Sequence, residues 1–413
     1  MIDAIGERAR AAARRLALTT TESKNAALFA MAARLEEAAD AVLEANGDDV
    51  TRAEQEGISN SLLDRLRLDG SRLEGMAAGL RSVAALPDPV GEVTAGWRLA
   101  NGLDIARIRV PLGVVAVIYE ARPNVTVDAA GLCLKSGNAA LLRGSSTALR
   151  SNMAIGSALR AGLADADIPE DAVQVLEDTS REGARELLRA KRWVDLLVPR
   201  GGPGLLAQIE AEATVPVVVD GAGNCHVYVD AAADLDQAVS IVVNAKTHRP
   251  GVCNAAEKLL VHQSVAPEFL PRVAKELSDA GVELRGDPAA MEIIAEMAPA
   301  SDEDWDTEYL DLVMAVRVVP DLGTAVEHVL AHGTGHTEAI VTQDISAADA
   351  FVDGTDSAVV MVNASTRFTD GEQFGFGGEI GISTQKLHTR GPMGLSALTS
   401  ERYVVRGDGQ VRR

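Results

Sequence analysis

The chain has 413 residues, of which 47% are hydrophobic and 24% charged, a composition typical of a soluble globular protein with two or three domains rather than of a disordered or collagen-like chain. Its 39 basic and 60 acidic side chains give a net charge of −21, which disfavours a general nucleic-acid-binding protein because the chain would repel the phosphate backbone. Aromatic residues make up only 3% of the sequence, so we expect a mostly aliphatic core.

The three cysteines, Cys133, Cys225 and Cys253, are widely spaced. Their odd number and the lack of a C-x-x-C pair disfavour a disulfide scaffold or a zinc ribbon and favour a reducing compartment. The sequence has no run of about 18 apolar residues, and its first residues lack the apolar stretch of a secretory signal. We therefore expect a cytoplasmic protein with no membrane-spanning segment.

Residues 1 to about 85 predict helices, because apolar side chains such as Leu28, Ala32 and Leu35 recur at helical spacing. Beyond Pro89, short apolar runs alternate with helical segments, which predicts two α/β lobes with parallel sheets. We expect the strands at residues 105–110, 114–119, 139–142, 173–176, 194–198, 215–219, 226–230, 259–262, 313–319 and 339–341. The tail, 403–411, predicts a strand that pairs elsewhere, with another subunit as one option.

Cys253 lies in the most informative segment, Asn244–Asn254, which also contains His248 and Arg249. We expect a helix over residues 255–258, and a thiol at a helix N-terminus beside cationic side chains has a lowered pKa. The alternative is a buried, inert cysteine. Cys133 and Cys225 lie in apolar stretches and are expected to be structural.

Two further segments place polar side chains after predicted strands. Arg122 and Asn124 follow the strand 114–119, and an Asn amide can donate to an oxyanion. Arg143 ends the strand 139–142 and is followed by Ser145 and Ser146, a pattern that suits a nucleotide phosphate at the carboxyl end of a sheet. The alternative for this second segment is a solvated loop.

Gly201 and Gly202 follow a predicted strand and precede a helix, which would permit the close approach of a cofactor. A possible metal face formed by His328, His332 and His336 is disfavoured because glycines interrupt the helix and no H-E-x-x-H motif is present, so we expect no metal. The acidic run 302–308 predicts a solvated surface, with Glu308 as the exception because it leads into the next strand.

Four long segments, 109–130, 243–254, 335–342 and 374–394, resemble the aldehyde dehydrogenase superfamily in content and order. The resemblance covers nearly the whole chain. It implies an α/β fold with a Rossmann-like cofactor lobe, an α/β catalytic lobe and a small β oligomerisation extension. The expected boundaries are 1–94 and 113–231 for the NADP-binding domain, 232–376 for the catalytic domain, and 95–112 with 377–413 for the extension and the carboxyl-terminal segment.

The resemblance also implies roles for individual residues. Cys253 matches the nucleophile, and Asn124 matches the side-chain oxyanion donor, with the backbone N–H of Cys253 as the second donor. Glu308 matches the glutamate that holds the nicotinamide ribose. Hydrolytic superfamily members carry a water-activating glutamate where this chain has Asp220, which is one methylene shorter. We therefore expect the acyl-enzyme to persist for phosphate, while a role for Asp220 as a base stays open.

At the cofactor, Arg143 replaces a lysine of the superfamily and suits the 2′-phosphate of NADPH, while Ser145 and Ser146 lie where contacts to the ribose are expected. The implied reaction is the NADPH-dependent reduction of L-glutamyl 5-phosphate to L-glutamate 5-semialdehyde through a Cys253 thioester, in proline biosynthesis. Arg122 and Arg249 are the candidates for binding this anionic substrate.

The expected assembly is a homodimer or homotetramer, with association with glutamate 5-kinase as a further expectation. Two alternatives remain open: a hydrolytic NAD(P)-dependent aldehyde dehydrogenase, and a non-catalytic protein that retains the fold.

Overall fold

A computed structural model describes residues 2–219 and 221–412. The described chain divides into two compact units. Unit 1 comprises residues 2–219, 375–381 and 393–412, and unit 2 comprises residues 221–374 and 382–392. None of the described helices is long and apolar enough to cross a membrane.

The α-helices of the described residues are α1 (Ile2–Leu16), α2 (Thr21–Glu37), α3 (Ala39–Gln55), α4 (Asn60–Leu66), α5 (Gly70–Ala85), α6 (Asn124–Lys135), α7 (Leu149–Asp165), α8 (Arg181–Leu188), α9 (Pro203–Glu212), α10 (Leu235–Thr247), α11 (Ala266–Asp279), α12 (Pro288–Ile293), α13 (Asp302–Asp306), α14 (Leu322–His332) and α15 (Ile345–Gly354).

The strands are β1 (Val93–Arg98), β2 (Asp104–Pro111), β3 (Val114–Tyr119), β4 (Ala139–Arg143), β5 (Val173–Val175), β6 (Leu196–Arg200), β7 (Cys225–Val229), β8 (Ala256–His262), β9 (Glu283–Gly286), β10 (Ala298–Pro299), β11 (Val313–Val319), β12 (Thr337–Val341), β13 (Val359–Val362), β14 (Ile382–Ser383), β15 (Gly391–Pro392) and β16 (Thr399–Arg406).

Unit 1 is built on a four-stranded parallel sheet with the order β5-β4-β3-β6. Every residue of β3 is buried, as expected for a parallel strand covered on both faces of the sheet. The helices predicted over residues 1 to about 85 from helical periodicity are present as α1 to α5. Helices α2, α5, α6 and α7 pack together, and their apolar side chains form one core with those of the sheet.

Unit 1 also contains a separate three-stranded antiparallel sheet with the order β1-β2-β16. The carboxyl-terminal strand pairs along its whole length with β2 of the same chain, from Thr399 opposite Pro111 to Arg406 opposite Asp104. The strand predicted in the tail, for which another subunit was one possible partner, thus pairs within its own chain. The pairing joins the two segments that the resemblance assigned to one extension.

Unit 2 is built on a seven-stranded parallel sheet with the order β10-β9-β11-β8-β7-β12-β13. One hydrophobic core is formed by side chains of the sheet together with those of α10 and α11, including Phe269 and Leu270. A second, smaller core around Tyr228 and Phe351 is formed with α14 and α15. Together with the sheet of unit 1, this architecture confirms the predicted α/β class with parallel sheets.

Two local expectations are wrong. Residues 215–219 form no strand and contribute only an isolated bridge between Val217 and Leu197. The helix expected over residues 255–258 is instead the start of β8, which pairs with β7 and β11 in the middle of the sheet. Pairing on both sides buries Glu257 and Lys258, so tertiary context outweighs their helical preference. The NADP-binding domain was expected to extend to residue 231, whereas residues 221–231 belong to unit 2.

Candidate functional site

Cys253 lies in a turn between the end of α10 and the start of β8, and it is half-buried. A side chain at residue 223 would overlap the Cys253 carbonyl, so the approach of the two backbones requires Gly223. No helix begins after Cys253, and the expected effect of a helix N-terminus on its thiol therefore does not operate.

The Cys253 turn is held by buried polar neighbours. The Cys225 Sγ lies 3.1 Å from the Cys253 carbonyl oxygen, and the amide Nδ2 of Asn254 donates to the Thr369 carbonyl at 2.8 Å. Burial is the largest cause that raises the pKa of Cys225, and it raises the pKa of Cys133 to about 12. Both cysteines are buried thiols, as their apolar surroundings in the sequence predicted.

Two arginines lie near this turn. Arg249 follows α10 and is exposed. Arg367, which the sequence analysis did not single out, lies in the 3-10 turn Thr366–Phe368 after β13. Its Nε donates to the His248 Nδ1 at 3.3 Å across a separation of 119 residues, a contact that local sequence patterns do not reveal.

Glu308 belongs to the same part of unit 2, because its Oε1 accepts a hydrogen bond from the Gly223 N–H at 2.7 Å. Its segment is held on both sides by residues of β8. The Lys258 Nζ donates to the Thr307 carbonyl at 2.7 Å, and the Glu257 Oε1 accepts from the Leu310 N–H at 3.2 Å. Glu308 is therefore fixed beside the glycine that contacts the cysteine.

A buried cationic cluster supports the Glu308 segment. The ring of Tyr309 has the Lys258 ammonium 4.6 Å and the Arg285 guanidinium 5.4 Å from its centroid, distances at which cation–π attraction is effective. Burial lowers the pKa of Lys258 to about 8, and Lys246 pairs with Glu257 at 2.8 Å. The sequence analysis did not identify this cluster, whose members are spread from residue 246 to residue 309.

The three histidines considered as a possible metal-binding face lie in different surroundings. His328 and His332 lie on α14, whereas His336 lies against Cys225, its Nδ1 3.8 Å from the Sγ. The Nδ1 of His328 accepts a hydrogen bond from Arg317 at 2.7 Å. Within residues 2–219 and 221–412, no group of three His, Cys, Asp or Glu side chains has the geometry to hold a metal ion.

In unit 1, the predicted site residues gather at the carboxyl-terminal edge of the sheet, because β4, β3 and β6 are adjacent and parallel. Arg122 and Asn124 follow β3, with Arg122 half-buried and Asn124 exposed. Arg143 is the last residue of β4 and is followed by Ser145 and Ser146, and Gly201 and Gly202 follow β6. This is the edge at which open α/β sheets bind ligands.

Asn124 is the first residue of α6, and its Nδ2 donates to the Asp128 Oδ2 one helical turn later at 3.1 Å. A carboxylate accepts only from the NH₂ end of the amide, so this contact fixes which way the amide points. The contact with Asp128 uses one of the two N–H groups of the amide. The sequence predicted the donor but not the carboxylate that orients it.

Three polar atoms near the end of β4 are buried and have no hydrogen-bond partner within the described residues: the Arg143 Nε, the Ser145 Oγ and the Asn152 Nδ2. The remaining Arg143 contacts run from Nη2 to the Thr179 and Ser180 carbonyls, at 2.7 and 3.0 Å. Buried polar atoms without partners are uncommon and indicate a missing ligand or solvent. These three fit the polar parts of a nucleotide cofactor.

Other predicted cofactor residues differ in their surroundings. Ser146 begins a 3-10 turn, Ser146–Ala148, and its carbonyl accepts a hydrogen bond from Arg52 at 2.9 Å. The Gly202 N–H donates to the Glu120 Oε2 at 3.0 Å, so a carboxylate of the chain itself already uses this amide. Asp220, the expected substitute for a water-activating base, lies outside the described residues.

Comparison with known proteins gives a consistent set of relatives. The model of the aldehyde dehydrogenase family matches residues 1–292. A gamma-glutamyl phosphate reductase from Moorella thermoacetica is 56% identical over 408 residues, covering 99% of this chain and 98% of the relative. The crystal structure of a gamma-glutamyl phosphate reductase from Thermotoga maritima is 49% identical, with a TM-score of 0.97 and full coverage of both chains. An engineered glycolyl-CoA reductase solved with NADP⁺ is 16% identical, with a TM-score of 0.69 over 98% of this chain and 96% of the other, and shares the fold.

Proposed function

The chain belongs to the aldehyde dehydrogenase family and, within it, to the gamma-glutamyl phosphate reductases, and from this premise we propose how its residues reduce L-glutamyl 5-phosphate to L-glutamate 5-semialdehyde in proline biosynthesis. The observation that carries the proposal is the half-buried Cys253 in its glycine-supported turn, with arginines nearby. This thiol is more accessible than Cys133 and Cys225, which are buried.

In the first step, the Cys253 sulfur attacks the acyl carbon of the substrate. The carbon–oxygen bond to the phosphoryl group breaks, phosphate leaves with the thiol proton, and a thioester forms on Cys253. The backbone N–H of Cys253 and the side-chain amide of Asn124 are the proposed donors to the oxyanion, and one such donor contributes about 3–4 kcal/mol in other enzymes. Arg122 and Arg249 are the proposed substrate-binding cations.

NADPH is the proposed cofactor, and when bound it would supply the hydride that reduces the thioester, whose carbon–sulfur bond breaks to give the aldehyde and the free Cys253 thiolate. The buried Arg143 Nε, Ser145 Oγ and Asn152 Nδ2 support this assignment because each lacks a partner in the described chain. Arg143 is the proposed contact to the 2′-phosphate, with Ser145, Ser146, Gly201, Gly202 and Glu308 as the other cofactor residues. Replacing Arg143 with Met is expected to weaken the binding of NADPH more than that of NADH, as measured by fluorescence titration.

The three-stranded sheet is the proposed site of self-association. One of its faces carries apolar side chains exposed to solvent, including Trp97 and Tyr403, whose ring centroids lie 6.2 Å apart. A second copy of the chain is the proposed occupant of this face, in a homodimer or homotetramer. The free thiols suit the proposed cytoplasmic location, and association with glutamate 5-kinase stays a prediction from the sequence.

The role of Cys253 can be tested by substitution. Cys253→Ala is expected to lower kcat by at least about 10³-fold because no other nucleophile replaces the sulfur, whereas Cys133→Ala, at a buried thiol, should keep wild-type turnover. Steady-state rates of both variants, together with mass spectrometry of the thiol alkylated first, provide the measurement. Full turnover by Cys253→Ala would contradict the proposal.

A further inference from the structure

Two arginines, Arg249 and Arg367, lie near Cys253 and interact electrostatically with each other. Burial and the neighbouring charge of Arg249 lower the pKa of Arg367, while the charges of Asp370 and Cys253 act in the opposite direction. Within the described residues, neither guanidinium forms an ion pair with an Asp or Glu side chain, although the chain is strongly acidic. Guanidinium groups that carry no carboxylate in an ion pair are suited to bind an anionic ligand.

The Arg367 side chain is oriented by a hydrogen bond to a histidine ring nitrogen rather than to a carboxylate. Its Nε donates to the His248 Nδ1 at 3.3 Å, and an imidazole nitrogen accepts such a bond only when it carries no proton. The two Nη atoms of Arg367 make no hydrogen bond within the part of the chain that the structure describes. They are the atoms with which a guanidinium binds a carboxylate or a phosphate in a fork.

The turn that carries Arg367 is tied to the Cys253 turn. The Asn254 Nδ2 donates to the Thr369 carbonyl at 2.8 Å, and Thr337 donates to the Thr369 hydroxyl at 3.0 Å. Two further polar atoms beside these contacts, the Thr366 Oγ1 and the Asn254 Oδ1, are buried and without a partner in the described residues. The arginine is therefore built into the surroundings of the nucleophile.

We propose that Arg367, together with Arg249, binds the phosphoryl group of the acyl phosphate substrate and of the inorganic phosphate that leaves. This inference rests on the proposed function. The phosphoryl group is a dianion joined through an oxygen atom to the carbon that Cys253 attacks, and its charge matches that of two guanidinium groups. The α-carboxylate carries a single charge at the other end of the substrate and is accompanied by an ammonium group.

The test uses the reverse reaction, in which L-glutamate 5-semialdehyde, NADP⁺ and inorganic phosphate are the reactants. Arg367→Met is expected to raise the KM for phosphate by about 10- to 100-fold, the range for losing a charged hydrogen bond. The KM for the semialdehyde and kcat at saturating phosphate should change far less. Arg367→Lys keeps the charge without the fork and should give a smaller increase.

Two controls separate binding from structure. Arg272→Met removes an arginine that pairs with Asp236 on the surface of the same unit and should leave every kinetic constant unchanged. Protection of the Cys253 thiol from iodoacetamide by inorganic phosphate provides a second readout, because it requires no turnover. Phosphate should protect the wild-type enzyme and the Arg272→Met variant at lower concentrations than it protects Arg367→Met.

The outcomes are distinct. An unchanged KM for phosphate in Arg367→Met, with unchanged protection, would overturn the inference. An increase confined to the KM for the semialdehyde would also overturn it, because it would assign the arginine to the amino-acid end of the substrate. Wild-type turnover that does not depend on phosphate would instead overturn the proposed function itself. If Arg367→Met does not fold, Arg367→Lys decides the question alone.

Discussion

At the residue scale, the Asp128 carboxylate fixes the orientation of the Asn124 side-chain amide. Asn124 and Asp128 lie four residues apart on α6, a spacing that places side chains on the same face of a helix. The contact uses one of the two N–H groups of Asn124 and excludes the flipped amide. An oxyanion donor gains from such preorganisation, because no free energy is spent on reorienting it as charge develops.

Replacing Asn124 with Ala should therefore lower kcat by about 10²- to 10³-fold with little change in substrate KM, as for other oxyanion donors. A matched control exists on α9, where the Gln208 amide donates to Glu212 four residues later at 3.2 Å. Gln208→Ala should keep the wild-type kcat. Steady-state kinetics of both variants provide the comparison, and equal kcat values for Asn124→Ala and the wild type would remove Asn124 from the chemistry.

The buried His328 side chain leads us to predict that the free energy of unfolding falls at acidic pH. Burial, followed by the neighbouring His226 and Arg317, lowers the pKa of His328 to about 2, below the value of about 6.5 for an unfolded histidine. The unfolded chain thus takes up this proton near pH 6.5, whereas the folded chain does not. The free energy of unfolding should fall as the pH drops from 6.5 towards 2, by about 1.4 kcal/mol per pH unit for this group.

In His328→Gln, which lacks the titrating group, the loss of stability between pH 7 and pH 5 should be smaller than in the wild type by about 2 kcal/mol. Denaturant unfolding at the two pH values measures the difference. His262→Gln, at the end of β8, is the control and should keep the wild-type loss. An identical pH dependence in His328→Gln would show that this histidine is not held neutral.

At the element scale, β8 shows why part of the site is not visible in the sequence. Glu257 and Lys258 favour a helix locally, but their partners are Lys246 on α10 and the Thr307–Leu310 segment. The strand forms because its neighbours β7 and β11 pair with it on both sides. By contrast, Val313–Val319 is apolar except for Arg317, and the predicted strand has the same bounds as β11.

The same limit applies to the candidate site. Cys253, Asn124 and Arg143 lie within distinctive motifs or directly after strands, so local sequence was sufficient to single them out. Arg367 lies 119 residues from the His248 that orients it, and the Lys258–Tyr309 contact likewise joins distant segments. Such partners become neighbours only through the sheet order, which no local pattern specifies.

The close approach of Gly223 to the Cys253 carbonyl gives a prediction for this turn. A Cβ at residue 223 would overlap that carbonyl, so Gly223→Ala must displace the Cys253 turn. We expect kcat to fall by about 10²-fold, the scale of loss for a misplaced reacting group, with a changed rate of Cys253 alkylation. Gly47→Ala, in α3 with open space around the added methyl group, should retain activity and gain slightly in stability. Normal turnover in Gly223→Ala would show that the turn tolerates displacement.

At the scale of the whole molecule, the exposed face of the three-stranded sheet predicts self-association. Trp97, Tyr403 and Val405 are 45%, 61% and 53% exposed, respectively, and β1 and β16 are the edge strands of this sheet. Exposed apolar side chains and open strand edges are features that proteins usually cover. The carboxyl-terminal strand thus completes the sheet within its own chain, and its Tyr403 and Val405 side chains are exposed to solvent.

Trp97→Lys should shift the protein towards the mass of a single chain, 43.3 kDa, because a charge in an apolar interface is costly to desolvate. Light scattering coupled to size-exclusion chromatography measures the change. The control is Phe29→Lys, which alters an exposed aromatic residue on α2 away from this sheet and should leave the mass unchanged. A wild-type protein that elutes as a single chain would contradict the prediction.

The most direct test of the account is the dependence of turnover on phosphate. Wild-type enzyme is supplied with L-glutamate 5-semialdehyde and NADP⁺, with and without inorganic phosphate, and the reduced cofactor is followed by absorbance. The account predicts turnover only with phosphate, because phosphate is the group that releases the Cys253 thioester. Equal rates without phosphate would contradict it and would indicate that water releases the acyl group, as in a hydrolytic aldehyde dehydrogenase.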